Sequence, residues 1–460
     1  MLKMRLRFVD LFCGIGGFHQ ALSTHADLVH ACDIDADCRE VYGNNFDHLP
    51  GVNIRNGKEN VPPHEILTAG FPCQPFSKSG SQLGFLDKIR GTLFEDIMDI
   101  VRANEPSVIL LENVRNFETH DEGRTLAIVR GALDSEGYDV KECILSPNQF
   151  GIPQIRQRIF IVALHKGKVS NYYDFKFPEP TGEAYTVESL RENLHGGDGE
   201  ENYKITEEQM VVFAHWSKLV KAVLSNEKKL PSPTWSMEFG RTYSLDGKFP
   251  LTNRTNKELC DELRKDNKKV TEGMPKEDLI ALYPPYIRSV KQSIPSWKKR
   301  FIENNRNFWN ENRGLAPKNW LKKTRTFKNT YQKLEWHVGD AVKDSDDYDI
   351  MKWMIHLRPS GIRVSKLDHI PSLVAISQIP IIGPWGRKLT PREAANAQSF
   401  DPEYKLSKTD SIAYKQLGNS VNVDVVRRIL SEILKLNISP TDDIVSGDKT
   451  VKVKHEDFVQ

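Results

Sequence analysis

The segment LRFVDLFCGIGG, residues 6–17, indicates the fold at the start of the chain. Residues 6–12 have the apolar character of a buried strand, and residues 18–22 have a helical pattern. A strand, a glycine turn and a helix open the nucleotide-binding units of α/β proteins. The glycine spacing departs from G-x-G-x-x-G, so a dinucleotide site is not the first choice.

A second strand, residues 28–32, ends in Asp33, which lies 23 residues after Asp10. An acid at this distance commonly accepts hydrogen bonds from the hydroxyls of a ribose. Because residues 36–42 have a helical pattern, Asp33 also fits a helix N-cap. The two roles can coexist, and together with the glycine turn they favour a cofactor that contains adenosine.

The segment GFPCQPFS, residues 70–77, follows a short apolar run at residues 66–69. Pro72 and Pro75 fix the backbone on either side of Cys73, since neither can continue a helix or a central strand. A cysteine taken alone is more often a small buried apolar residue than a nucleophile.

Polar side chains from other segments change that interpretation. A buried strand at residues 107–111 ends in Glu112, and Arg156 and Arg158 precede a strand at residues 159–164, with both side chains on one side of an extended backbone. Strands that alternate with helices predict a parallel, helix-covered sheet, in which ligands bind at the carboxyl ends of the strands. Cys73 and Glu112 both lie at such ends, which favours a catalytic cysteine.

The bulk composition is that of a soluble globular protein of two or three domains. The chain has 460 residues, 39% hydrophobic and 27% charged, with a net charge of +2. Six cysteines without a C-x-x-C pair predict neither a zinc site nor a disulfide scaffold, and we expect no metal. No apolar run reaches membrane-spanning length, and no signal-peptide pattern precedes the first strand. We therefore expect a reducing, cytoplasmic compartment and no membrane.

Between about residues 166 and 380 the periodicity weakens. Residues 297–331 interleave basic and aromatic side chains, which suits phosphate contacts and base stacking, or else a solvated face over core aromatics. Further on, Arg358, Ser360 and Arg363 lie in a polar turn, and arginine is the side chain best shaped to read guanine. Regular patterns return at Thr390, which predicts a helix N-cap with Glu393.

Taken together, these motifs resemble the cytosine-5 DNA methyltransferase family, in the form found in bacterial restriction–modification systems. The resemblance rests on DLFCGIGG at 10–17, GFPCQPFS at 70–77, ENV at 112–114, QIRQR at 154–158, LTPRE at 389–393 and QLGNS at 416–420. It implies an α/β, Rossmann-like sheet that depends on S-adenosylmethionine, with a separate, irregular target-recognition domain. The implied limits are a catalytic domain at 1–168, target recognition at 169–384, a returning segment at 385–436 and a flexible tail at 437–460.

The resemblance also implies roles for individual residues. In it, Cys73 attacks C6 of a flipped cytosine, Glu112 donates a proton to N3, Arg156 holds the base carbonyl and Arg158 supports the site. The implied residues around S-adenosylmethionine are Phe12, Gly14, Ile15, Gly17, Asp33, Ile34, Asn53, Pro72, Asn419 and Ser420. The implied DNA contacts are Gln74, Ser77, Ser79, Arg358, Ser360 and Arg363. Asn53 departs from the pattern, because the family often has an acid at this position.

Other functions fit parts of the pattern. A transfer RNA methyltransferase of the same family would share the motifs, but the long middle region favours duplex DNA. A catalytically inactive DNA-binding regulator would usually lack Cys73 or Glu112. We expect a monomer that acts on double-stranded DNA at a short, GC-containing sequence, alongside a restriction endonuclease for the same site.

Overall fold

The computed structural model describes residues 5–72, 92–192, 200–266, 268–373 and 378–439. The chain divides into two compact units, residues 1–184 with 395–460 and residues 185–394. We call them the first and the second unit. The domain limits expected from the sequence separate a catalytic from a target-recognition function. They stay a prediction, because the two units are defined by packing alone.

The first unit is built on a six-stranded sheet with the order β2-β1-β3-β4-β7-β5. Its strands are β1 Leu6–Leu11, β2 Ala26–Cys32, β3 Ile66–Ala69, β4 Val108–Val114, β5 Tyr138–Leu145 and β7 Arg158–His165, with a two-residue strand β6 at Gln154–Ile155. β1 to β4 are parallel neighbours, which confirms the predicted α/β sheet.

The prediction of an all-parallel sheet was wrong at its far edge. β7 runs antiparallel to both β4 and β5. The physical reason is the connection between β5 and β7, which contains a short turn at residues 147–150 and no crossover helix. Parallel neighbours need such a crossover, whereas antiparallel strands do not. β5 was not predicted, because its residues are mostly half-buried and show no clear alternation.

Helices cover the sheet and bury its apolar side chains. In the first unit they are Gly17–Leu22, Ala36–Phe46, Leu93–Asn104, Arg124–Ser135, Asp410–Asn419 and Val423–Ile433, and the helix Pro391–Ala397 crosses from the second unit. The central strands read as continuous apolar runs because both faces are buried. Leu67, Ile109 and Leu111, for example, are fully buried in one cluster with the helix residue Ile97.

The chain returns to the first unit at its C-terminal end. Asn422 caps the last helix by accepting a hydrogen bond from the Val425 backbone N–H at 3.1 Å. Residues at the start of the predicted flexible tail are paired: the Ser439 N–H donates to the Lys168 carbonyl at 3.0 Å, and Ile438 bridges Val169. Residues 440–460 lie outside the described residues.

The second unit has more regular structure than its weak periodicity indicates. Its sheet has the order β14-β13-β10-β11-β9-β8. The strands of this sheet are β8 Thr234–Trp235, β9 Lys333–His337, β10 Met354–Arg358, β11 Gly361–Ser365, β13 Ile381–Ile382 and β14 Arg387–Lys388, and the two-residue strand β12 Ile370–Pro371 lies outside it. The helices are Glu207–Leu224, Asn256–Lys265, Lys276–Ala281, Pro285–Arg288, Ser296–Asn312 and Trp320–Thr324. Within the described part of the chain, no helix is both long and apolar enough to span a membrane.

The basic segment at residues 297–331 uses most of its aromatic side chains for packing. Phe308 and Trp320 are buried, and Trp309 stacks on Phe239 with ring centroids 4.7 Å apart. Arg306 forms an ion pair with the fully buried Glu238 at 3.0 Å. For Phe308, Trp309 and Trp320 the prediction of stacking on bases was therefore wrong, and the alternative of core aromatics beneath a charged surface is correct.

Candidate active site

A cavity of about 460 Å³ in the first unit collects most of the polar residues that the sequence singles out. Ten of the predicted residues line it: Phe12, Gly14, Asp33, Ile34, Asn53, Pro72, Glu112, Arg156, Arg158 and Asn419. Most come from the ends of β1, β2, β3 and β4, from the start of β7 and from the end of the helix Asp410–Asn419, and Asn53 comes from the loop between the helix Ala36–Phe46 and β3. The antiparallel direction of β7 is what brings its first residue to the edge where the parallel strands end.

The glycine turn after β1 is held by a carboxylate. Gly14 has a φ of +54°, a conformation that glycine adopts without strain. Asp33 accepts hydrogen bonds from the Gly14 N–H through Oδ2 and from the Asp35 N–H through Oδ1, both at 2.8 Å. Burial raises the pKa of Asp33, against the effect of these two N–H groups. Each carboxylate oxygen keeps a lone pair that can accept from a ligand hydroxyl.

The N-cap interpretation of Asp33 was wrong. Asp35 caps the helix Ala36–Phe46, accepting from the Asp37 N–H at 3.0 Å and the Cys38 N–H at 3.4 Å. Asp33 is thus free of helix capping and is committed to the turn and the cavity.

One wall of the cavity is apolar and unusually exposed. Ile34 is 76% exposed and Val52 is 57% exposed, and both line the cavity. Beside them, the Asn53 side chain accepts from the Arg55 N–H at 3.0 Å. Exposed apolar side chains next to an amide suit a flat ring with polar edges.

Glu112 and Arg158 form an ion pair inside the cavity. Arg158 lies opposite Val114 in the β4–β7 register, which places it on the same side of the sheet as Glu112. Its Nε lies 2.9 Å from Glu112 Oε1. Glu112 is 8% exposed, and burial raises its pKa more than Arg158 and Arg156 lower it. Compared with a carboxyl in water, Glu112 is therefore shifted towards its protonated form, which can donate a hydrogen bond.

Arg156 has different partners from Arg158. Its buried guanidinium donates from Nη2 to the carbonyls of Gly418 at 3.0 Å and Ser420 at 2.6 Å. It thereby fixes the backbone on both sides of Asn419, which lines the cavity.

Asn113 was not predicted, although it lies in the ENV motif. Its Nδ2 donates to the Phe71 carbonyl at 2.9 Å, and its Oδ1 accepts from the Val114 N–H at 2.9 Å. The side chain fixes the backbone that leads into Pro72. Its place beside Glu112 in an otherwise apolar strand was the signal available in the sequence. The other lining residues that were not predicted are Cys32, Asp35, Cys38, Val52, Ile54, Gly70, Phe71, Leu93, Val114 and Gly418.

Three predicted cofactor residues do not line the cavity. Ile15 is buried, and its carbonyl accepts from the Tyr404 hydroxyl. A Cβ on Gly17 would lie 2.7 Å from Val421 Cγ2, so this glycine serves close packing. The Ser420 hydroxyl donates to the Val421 carbonyl at 3.2 Å.

Four predicted residues, Cys73, Gln74, Ser77 and Ser79, lie outside the described residues. Arg358, Ser360 and Arg363 belong to the β10–β11 hairpin of the second unit, with Ser360 exposed in its turn. Among the described residues, no group of three His, Cys, Asp or Glu side chains is arranged to hold a metal ion.

Comparison with known proteins agrees with this geometry. Residues 6–435 match the family model described as C-5 cytosine-specific DNA methylase. The chain is 30% identical over 454 residues to the Type II methyltransferase M.BanI of Aneurinibacillus aneurinilyticus, covering 95% of this chain and 97% of that protein. It is 29% identical over 491 residues to the Type II methyltransferase M.AluI of Cellulosimicrobium cellulans, covering 92% and 91%. It is also 45% identical over 177 residues to the Type II methyltransferase M.HhaI of Haemophilus parahaemolyticus, covering 38% and 53%.

These matches confirm the resemblance drawn from the motifs. The protein therefore belongs to the C-5 cytosine-specific DNA methylase family, and its activity is the methylation of cytosine at C5 in DNA.

Proposed function

We propose that the protein uses S-adenosylmethionine to methylate one cytosine of a specific duplex sequence, and that this protects DNA in a restriction–modification system. The observation that carries the proposal is the buried Glu112–Arg158 pair, which shares one cavity with the Asp33-bound glycine turn. The names of the relatives as Type II methyltransferases support the biological role.

The cavity fits an adenosyl cofactor. No side chain occupies the space beside Gly14, since a Cβ there would meet nothing within 4 Å. Asp33 would accept from the ribose hydroxyls, Ile34 and Val52 would contact the purine, and Asn53 would bond its polar edge. When bound, S-adenosylmethionine supplies the methyl group that is transferred.

The chemistry requires a nucleophile and an acid on opposite ends of the cytosine ring. Cytosine C5 is a poor nucleophile, so the Cys73 thiolate adds to C6 of the flipped base while the Glu112 carboxyl donates its proton to N3. This makes C5 nucleophilic enough to accept the methyl group. Loss of the C5 proton, expulsion of the thiolate and return of the N3 proton to Glu112 restore the aromatic ring. Pro72, which lines the cavity, directly precedes Cys73 in the chain.

The two arginines take roles that differ from those implied by the sequence. Because Arg158 contacts the Glu112 carboxyl, we assign it the contact with the base carbonyl as well as the orientation of the acid. Because Arg156 bonds the carbonyls of Gly418 and Ser420, we assign it the support of the Asn419 backbone.

The remaining roles are proposals that rest on the sequence and the family. Gln74, Ser77 and Ser79 would contact DNA around the flipped base, and Arg358, Ser360 and Arg363 would contact the recognition sequence. We propose a cytoplasmic monomer with a restriction endonuclease of the same specificity.

The test is base-resolution mapping of methylated cytosine in DNA treated with the protein and S-adenosylmethionine, with transfer RNA treated in parallel. We expect C5 methylation at one position of one short DNA sequence and none in the RNA. A duplex carrying 5-fluorocytosine at that position should trap the protein covalently, because the fluorine cannot leave as a proton does. Cys73→Ser should abolish both results, and efficient methylation by this variant would overturn the mechanism.

A further inference from the structure

One face of the sheet in the second unit carries a row of polar side chains. Alternation along β9, β10 and β11 sends Leu334, Ile355, Ile362 and Val364 into the apolar core. The intervening side chains, Glu335, His356, Arg358 and Arg363, lie on the opposite face. In the register, His356 is paired with Arg363, and Arg363 is paired with Glu335.

Arg358 is anchored by a histidine. His356 Nε2 lies 2.7 Å from the Gln378 carbonyl, which only accepts, so Nε2 carries the proton. Nδ1 of the neutral ring then accepts from Arg358 Nε at 3.2 Å. Burial lowers the pKa of His356, which keeps the ring neutral for this role.

Arg363 is anchored by a carboxylate. Its Nε and Nη2 lie 2.8 Å and 2.7 Å from Glu335 Oε2. The Arg363 side chain is still 36% exposed, whereas Glu335 is 16% exposed. In both arginines the anchor holds Nε, and in Arg363 it also takes one proton of Nη2. Over the part of the chain that the structure describes, Nη1 of each guanidinium makes no hydrogen bond, so Nη1 and the Nη2 proton that lies beside it remain available on each arginine.

From these anchors we infer that Arg358 and Arg363 each read one guanine through this edge, and that His356 and Glu335 are positioning residues for them. Guanine presents O6 and N7 side by side in the major groove, which matches two parallel N–H donors. A phosphate contact depends on net charge more strongly than a contact with a neutral base does, and Glu335 offsets much of the charge of Arg363. The anchors thus favour base reading over phosphate binding.

The register limits how far apart the two guanines lie. Arg358 is paired with Gly361, so Arg363 is its diagonal neighbour across the hairpin. The Cα atoms of such diagonal neighbours are separated by about 7–8 Å. This distance is about two base steps of 3.4 Å each. The recognition sequence therefore contains two guanines within three successive base pairs. This inference rests on the proposed contact of the hairpin with the recognition sequence.

The experiment uses duplexes of the mapped sequence in which each guanine in turn is replaced by 7-deazaguanine, which lacks only the N7 acceptor. We expect the rate of methylation by the wild-type protein to fall about 10-fold when either of two particular guanines is replaced, and to stay unchanged for the others. The methylation rate of Arg358→Lys should not change with one of the two replacements, and that of Arg363→Lys should not change with the other. The reason is that lysine keeps the charge but not the paired donors. Arg288→Lys, at an exposed site of the second unit, is the matched control and should behave as wild type.

The positioning residues have their own variants. His356→Phe keeps a ring but removes the acceptor for Arg358, and Glu335→Leu removes the acceptor for Arg363. Each should lower the preference for guanine at one position without lowering kcat on the original sequence, and Glu335→Gln should restore part of the preference. Tryptophan fluorescence checks folding, because all eight tryptophans lie in the second unit.

Failure of the inference is distinct from failure of the proposed function. If the wild-type protein methylates the mapped sequence at an unchanged rate with every 7-deazaguanine, the arginines do not read guanine. If variants of His356 and Glu335 lower kcat and leave sequence preference intact, their positioning role is wrong. If no DNA sequence is methylated at all, the proposed function itself fails.

Discussion

Asp10, at the end of β1, should make the first unit less stable as the pH rises. Its side chain is fully buried and accepts a hydrogen bond from Thr68 Oγ1 to Oδ1 at 2.9 Å, and a backbone hydrogen bond from His19 also favours the charged form. Burial raises the pKa of Asp10 from 3.8 to about 7, and the nearby Asp33 adds to the effect. The folded chain therefore holds this carboxyl in its neutral form well above the pH at which the unfolded chain releases the proton.

The sign and size of the effect follow from proton linkage. Between pH 3.8 and about 7 the native state binds more protons than the unfolded state, so the free energy of unfolding falls as the pH rises. The contribution is fully present below pH 4 and is lost above pH 7. At about 1.4 kcal/mol for each pH unit, the loss is about 4 kcal/mol.

Asp10→Asn should remove this dependence, because the amide stays neutral and its oxygen still accepts from Thr68. The variant carries its own cost of about 1–3 kcal/mol for buried N–H groups without partners, but that cost does not change with pH. The free energy of unfolding of the variant, relative to wild type, should therefore rise by about 4 kcal/mol from pH 4 to pH 8.

Unfolding in urea is monitored by hydrogen-exchange mass spectrometry of peptides that contain Leu6–Leu11. Asp37→Asn is the matched control, because it makes the same chemical change at an exposed position in contact with water. Tryptophan fluorescence follows the second unit alone and serves as an internal reference. Equal pH dependence in wild type and Asp10→Asn would refute the reasoning.

Two further predictions concern the cavity. Glu112→Gln removes the proton donor and should slow single-turnover methyl transfer about 10²- to 10⁴-fold while cofactor binding persists. Because burial raises the pKa of Glu112, the wild-type rate should fall as the pH rises through that pKa. A Glu112→Gln variant with an unimpaired rate would exclude the acid role. Gly17→Ala should cost about 1–3 kcal/mol of stability by crowding Val421 yet keep cofactor affinity by calorimetry. Gly14→Ala, at a φ of +54°, should cost about 1–2 kcal/mol of stability and also weaken cofactor binding. If Gly17→Ala weakened cofactor binding and Gly14→Ala did not, the roles assigned to both glycines would be contradicted.

Much of the first unit could be predicted because its signals are local. Mostly apolar runs marked β1, β3 and β4, since strands buried on both faces have few polar residues. The carboxyl ends of parallel strands meet at one edge, so Asp33 and Glu112 could be placed together without a structure. Their hydrogen-bond partners could not be predicted, because these depend on distances of a few tenths of an ångström.

Other features depended on contacts that sequence patterns do not carry. The antiparallel direction of β7 depends on how the chain turns between residues 146 and 157. The aromatic side chains of residues 297–331 looked suited to stacking, but Trp320 and Phe308 are buried by partners far away in the sequence. Whether an aromatic ring belongs to a surface or a core is decided by such distant partners. Glu335, the anchor of Arg363, was missed for the same reason, since it lies 28 residues earlier in the chain.

The C-terminal return of the chain explains why two distant motifs occur together. Arg156 reaches the carbonyls of Gly418 and Ser420, more than 260 residues later in the chain. Gly17 allows the turn at Val421 to approach the first helix closely. Both contacts position Asn419 at the cavity, so the wall that it contributes forms only when the chain has passed through the second unit and returned. The wall of the cavity at Asn419 thus depends on contacts between segments that are more than 260 residues apart in the chain.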